Sequence, residues 1–315
     1  MKTILLRKIK AAYNLYINKP IGVIYMLHRV APYENDRLAP NENMKVTPEF
    51  LEKFIVDNSG HNIFLSMNQV KEVISGTTKI TKPFIAFTFD DGYYDNYHYA
   101  YPILKKHNIP FTIYVSTGLI DGTAWLWWYL LEDIILTNES VLLSNGLSFD
   151  CSTRSLKEKS FMEIRKIILD LPSDNFNDRL LQLLSNYHTS PEIYNSRLMM
   201  NWQQIVEISK SAIGTIGVHT VSHRRMSALT AEEIIAELNE SRKTIEEKIE
   251  KRAVHFAYPF GTEYEIDNNA IDIVRKTDFQ TAILANGGLI RKYDKDLYKL
   301  KRLFFADGTQ NPFRK

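Results

Sequence analysis

"FIAFTFDDGYYDN", residues 84–96, runs as an apolar strand and then stops on two adjacent carboxylates and a glycine. One reading of Asp90-Asp91-Gly92 is a turn, since Asp bonds to its own backbone and Gly tolerates positive φ. The other gives the carboxylates chemical work, and that requires partners elsewhere in the chain.

Strand-like runs recur at 22–27, 84–89, 111–115, 214–218, 253–258, 281–284 and 300–305, with helical stretches between them. Thr47-Pro48 reads as an N-cap followed by proline at the first helical position. Ser66 with Gln69 and Thr230 with Glu233 read as capping boxes, the second opening a helix that should reach about Lys251. Strand–helix alternation of this kind implies an α/β fold around a largely parallel sheet, open or closed into a barrel. Residues from about 121 to 201 interrupt the alternation, beginning with "WLWWYLLEDIIL" (125–136). They read as a helical insertion built on the sheet of a domain spanning 21–315.

Apolar residues make up 44% of the 315, enough for an ordinary buried core, and the net charge of +2 provides no field to draw in nucleic acid. Cys151 is the sole cysteine, which excludes an intrachain disulfide. Residues 1–20 carry Lys2, Arg7, Lys8, Lys10 and Lys19, with no acid before Glu34. The segment lacks the features of a secretory signal and is too short in apolar run to span a bilayer, so a cytoplasmic location is expected. Leu5, Ile9, Ala12, Tyr13 and Tyr16 fall near one helical face. Residues 1–19 therefore either lie as a basic amphipathic helix on an anionic membrane or dock that face on the domain.

Three further segments leave strand-like runs with polar or turn-forming residues: "GVHTVSH" (217–223), "HFAYPFG" (255–261) and "IYMLHRV" (24–30). His219 and His223 are four apart, so on a helical turn both imidazoles would reach a common metal. In an α/β barrel the C-terminal ends of the strands meet where active sites sit, and Asp90, Asp91, His219 and His28 all follow strands.

"TFDDG" (88–92), "HTVSH" (219–223) and "FAYPFG" (256–261), in that order, resemble the first three motifs of the polysaccharide deacetylases with NodB homology, the fourth carbohydrate esterase family. "MLHRVAP" (26–32), "VTPEFLEKFI" (46–55), "YPILKKHNIPFTIYVSTGLI" (101–120) and "LTAEEIIAELNESRKTIEEKI" (229–249) extend the resemblance to the branch carrying the FAYP variant, over about residues 22–305. The resemblance implies a distorted (β/α) barrel of about seven parallel strands. It also implies removal of acetyl groups from N- or O-acetylated sugars with a divalent metal, zinc first among the candidates. Carried over by position, Asp91, His219 and His223 are metal ligands, Asp90 is the general base, and the backbone N–H of Phe260 faces the oxyanion. Two imidazoles and one carboxylate leave a position for water on a catalytic zinc, and a carboxylate outside that set can take a proton.

Three departures accompany the resemblance. Ala257 stands where the family often has an arginine that orients the base, and Arg302 is the available replacement. The tryptophan-bearing fourth motif is not recognisable around "RKTDFQTAIL" (275–284). No histidine follows His255, so the family's late acid is missing; His28 is the first candidate for that role and His255 the second. Trp125, Trp127 and Trp128 either stack on sugar rings or pack the insertion. Adjacent aspartates are poorly placed for a glycosidase, whose carboxylates stand about 5 Å or more apart across a bond. A carbohydrate-binding pseudoenzyme that has lost its acid is the alternative from another class. The expected substrate is an acetylated sugar, polymeric or lipid- or nucleotide-linked, handled during surface-polysaccharide assembly.

Overall fold

The computed structural model describes residues 18–262 and 265–314, so the basic N-terminal helix expected over 1–20 lies almost wholly outside the described residues. Seven strands form the frame: β1 (Pro20–Leu27), β2 (Phe84–Phe89), β3 (Phe111–Val115), β4 (Gly214–Val218), β5 (His255–Ala257), β6 (Thr281–Gly287) and β7 (Leu300–Phe304). Each pairs in parallel with the next, and β7 returns to β1, so the sheet closes on itself. The β1–β2 seam is long, running from Gly22 opposite Phe84 to Leu27 opposite Phe89. The β4–β5 seam has only Phe256 opposite Val218, and β6 shifts register against β7 between Ile283 and Gly287. Unequal seams of this kind are what distort the barrel.

Alternation along each strand divides the apolar residues between two cores. Val23, Tyr25 and Leu27 join Leu51, Phe54 and Ile55 of helix α1 (Pro48–Asn58) in the core outside the sheet. Ile24, Phe84, Ala86, Tyr114, Ala257, Ile283 and Leu300 fill the barrel interior with Met67, Val70, Val73 and Ile74 of helix α2 (Met67–Ser75). That helix plugs the N-terminal end of the barrel. Gly22 has to be bare there, because a Cβ would stand 2.2 Å from the Phe84 ring.

The helix starts follow the sequence chemistry. Thr47 accepts from the Phe50 N–H, Ser66 and Gln69 close a capping box, and so do Thr230 and Glu233. The last of these helices ends at Ile249, with Glu250 in the left-handed region. Between β3 and β4 the chain builds a second layer from helices α3 (Trp127–Thr137), α4 (Arg154–Leu169) and α5 (Phe176–Leu183), with a hairpin of Ser140–Leu142 and Ser148–Asp150. Leu126, Leu130, Ile134, Phe161, Ile164 and Leu180 give it a cluster of its own, which also takes in Leu38 and Tyr93. Arg29, just past β1, ties this layer down by bonding Asp95 at 2.6 Å and the Tyr129 hydroxyl at 2.8 Å.

His255 corrects one sequence expectation. It is the first residue of β5, so it lies at the plugged end of the barrel, away from the C-terminal ends of the strands. Its ring nitrogens meet Thr281 Oγ1 at 2.8 Å and Asn68 Oδ1 of α2 at 3.0 Å. Burial, helped by Lys71, pushes this imidazole down to about 4 from 6.5. Between those values the unfolded chain binds a proton that the native protein refuses, so stability falls as pH drops through that window. The loss attributable to His255 is about 3 kcal/mol. Denaturant titrations of wild type and His255→Gln between pH 7 and 4 should show a shallower pH slope in the variant. Equal slopes would mean that the ring is not held neutral.

Candidate active site

The loops at the C-terminal ends of β1, β2, β4 and β5 meet over one mouth of the barrel. Their backbone is unusual: Asp91, Thr220, His223 and Phe260 are four of the seven non-glycine residues with positive φ among the described residues. Such conformations cost about 1–3 kcal/mol each and persist only where surrounding bonds over-determine them. Here the bonds are visible. Glu237 accepts from Val221 N, Ser222 N and Ser222 Oγ, Thr220 Oγ1 accepts from His223 N, and Ser116 Oγ donates to the His219 carbonyl. The spacing of His219 and His223 suggested a helical turn. They sit instead on this looped segment, where the left-handed residues bring the rings together with centroids 4.9 Å apart.

His219 Nδ1 donates to the Ala257 carbonyl at 2.7 Å, which leaves the Nε2 lone pair of the neutral ring facing inward. That Nε2 is 3.5 Å from Asp91 Oδ1, and His223 Nε2 is 3.1 Å from the same oxygen. The three ligand atoms lie within 4.8 Å of one another, and Asp91 Oδ1 is buried with no hydrogen-bond donor. Converging lone pairs around an unsatisfied buried carboxylate oxygen fit a divalent cation.

Asp90 has a different environment. Arg302, fully buried on β7, places Nη1 and Nη2 each 2.7 Å from one of its oxygens, and its Nε donates to the Leu284 carbonyl. Thr88 Oγ1 meets the same guanidinium at 3.2 Å. Burial alone would raise the Asp90 carboxyl, but the charges of Arg302 and His219 and the hydrogen bonds from Arg302 together outweigh it and hold the group below its ordinary range. At neutral pH Asp90 is therefore an oriented carboxylate outside the cluster of ligand atoms. Arg302→Lys keeps the charge and loses the fork. In a pH–rate profile the acid limb should move to higher pH as the Asp90 pKa rises, with a lower plateau. An unmoved limb would separate Arg302 from Asp90 ionisation.

A cavity of about 630 Å³ opens over these groups, lined by His28, Asp90, Asp91, His219, His223 and Phe260. His28 is half-buried, its Nδ1 lacks a partner, and burial lowers its pKa against the pull of Asp91 and Asp90. The Phe260 N–H donates to no group among the described residues. Trp127 and Trp128 line this cavity too, Trp128 with its ring 5.6 Å from His223 and its Nε1 on the Tyr93 hydroxyl. Trp125 lines the neighbouring cleft, and His255 lines neither. Sequence reasoning missed Tyr93, Met44 and Arg165 as lining residues. Tyr93 had a signal, since it directly follows the Asp-Asp-Gly turn; the other two had none.

The model of the polysaccharide deacetylase family matches residues 77–141 and 167–282. The chain belongs to that family. It is thus a polysaccharide deacetylase, a hydrolase, and its barrel is that of known relatives. A Streptococcus pyogenes deacetylase, PplD, in complex with acetate superposes with a TM-score of 0.62 at 17% identity, covering 92% of this chain and 95% of its own. IcaB from Ammonifex degensii gives 0.58 at 16% identity, over 92% of this chain and 94% of its own. The de-N-acetylase from Aggregatibacter actinomycetemcomitans gives 0.55 at 16% identity, over 93% and 96%. No protein of curated function matches the sequence.

Proposed function

We propose that this deacetylase hydrolyses the N-acetyl group of a sugar, with O-acetyl esters as easier substrates, and that Asp91, His219 and His223 hold a divalent cation, zinc by preference. The observation that carries this reading is the division of labour between neighbours: Asp91 faces two imidazoles, while Asp90 is locked by Arg302. When bound, the cation supplies charge that polarises the acetyl carbonyl and makes water acidic near neutral pH. Asp90 accepts the proton of the attacking water, with Arg302 fixing its orientation. The Phe260 N–H is available to the oxyanion of the tetrahedral adduct. His28 delivers a proton to the departing nitrogen. The test is acetate release across N-acetylhexosamine substrates, soluble and lipid-linked; no release from any of them would defeat the reading.

The depressed pKa of His28 and the lack of any histidine after His255 favour the second reading, a carbohydrate-binding pseudoenzyme. Tight sugar binding without acetate release would select it.

The setting we propose is surface-polysaccharide or lipid-linked glycan biosynthesis on the cytoplasmic side. No described helix is long and apolar enough to cross a membrane. The unopposed basic residues of 1–19 support peripheral contact. Deleting 1–19 should abolish sedimentation with anionic vesicles and leave the melting temperature unchanged. A truncated chain that unfolds would place this segment in the core.

A further inference from the structure

Part of the cavity wall comes from α4. Phe161, Met162 and Arg165 of this helix line the cavity, and all three lie in the stretch between the two segments that match the family model. Arg165 is the unusual member. It is half-buried, yet it makes no hydrogen bond or ion pair among the described residues; its one contact of note is the Phe260 ring, 5.5 Å from Cζ. Neither acid nearby forms an ion pair with Arg165, although the charge of Glu265 acts on it. Glu158 bonds to Arg154 at 3.2 Å, and Glu265 accepts from Thr262 N and Oγ1. Asp90 is already matched by Arg302, and Asp91 by the cation its neighbours imply.

Burial lowers the proton affinity of this guanidinium and the charge of Glu265 raises it, but no carboxylate among the described residues pairs with it, so its donors remain open to the cavity. Its planar fork suits bidentate pairing with an oxyanion. The Phe260 ring under it lies 4.8 Å from the His223 ring, so the charge stands within a sugar's width or two of the ligand cluster. Met44 and Met162, 37% and 51% exposed, add apolar surface to the same cavity.

We infer that Arg165 binds a phosphoryl group carried by the acetylated sugar, which makes the substrate a phosphate-linked sugar in preference to a neutral polymer. This rests on the deacetylase reading above and names its substrate class. The phosphoryl group can belong to a nucleoside diphosphate or to a polyprenyl pyrophosphate; the shared chemistry is the phosphate adjoining an acetylated sugar.

The test is calorimetric binding to the full chain, loaded with zinc, of N-acetylglucosamine 1-phosphate and of neutral methyl N-acetylglucosaminide. Wild type should hold the phosphate about 10- to 100-fold more tightly, the range of a hydrogen bond to a charged group. Arg165→Gln should erase that preference and leave the neutral sugar bound as before, while Arg165→Lys should keep part of it. Equal affinities in wild type, weakening of both ligands by Arg165→Gln, or a stronger preference for a uronate would each overturn the inference. A nucleoside diphosphate sugar and a short-chain polyprenyl pyrophosphoryl sugar then identify the source as whichever binds more tightly, and that binding must depend on Arg165. Acetate release is read separately. If binding follows Arg165 but no acetate appears, the hydrolytic reading fails and the phosphoryl site stands.

Discussion

Asp90→Asn is expected to lower deacetylation by about two to four powers of ten while leaving the divalent cation in place. The reason is geometric. Asp90 gives both oxygens to Arg302, so replacing it removes a proton acceptor and no ligand. Asn retains one oxygen for the guanidinium, and the melting temperature reports whether the buried arginine tolerates the change. Asp91→Asn should do the reverse at the metal, because Asp91 Oδ1 is the oxygen that both imidazoles approach. Metal analysis after dialysis, set beside kcat/KM for each variant, reads the two roles apart. Equal metal loss in both would mean that the aspartates share one function.

His28→Ala carries the second large effect. A departing amine must be protonated, whereas the alkoxide from an activated ester leaves with less help. His28 is half-buried on the cavity wall with an unpartnered Nδ1, and His255 is out of reach at the plugged end of the barrel. Amide hydrolysis should therefore fall by about two to four powers of ten, and ester hydrolysis by much less. Because an acid works in its protonated form, the amide profile should lose the limb on which activity declines as pH rises. Matching losses on both substrates would remove His28 from proton transfer and leave it a wall residue.

The barrel was readable because its strands are almost unbroken apolar runs, and unbroken runs are what closed parallel sheets require. The helix starts were readable from Thr47, Ser66 and Thr230, whose side chains cap locally and need no tertiary information. The cluster of Asp91, His219 and His223 was readable because parallel strands deliver their C-terminal residues to one mouth. What failed was what depends on position along a strand or on packing between layers. His255 lies only five residues before Phe260, yet those residues carry the chain from one end of the barrel to the other. The loop holding His219 and His223 uses left-handed residues that are not glycine, and propensity has no means of announcing them. Arg165 is placed by the way α4 stands over the mouth, so nothing in its neighbours along the chain distinguishes it from a solvated helix charge.

Asp91, His219 and His223 are proposed to form the metal centre of a working deacetylase. The decisive measurement strips the purified chain with a chelator, returns about one equivalent of zinc per chain, and follows acetate release from an N-acetylated sugar. Release should stop on stripping, return on reloading, and fail to return in His219→Ala. Full activity in the stripped protein, or in His219→Ala, would contradict this assignment.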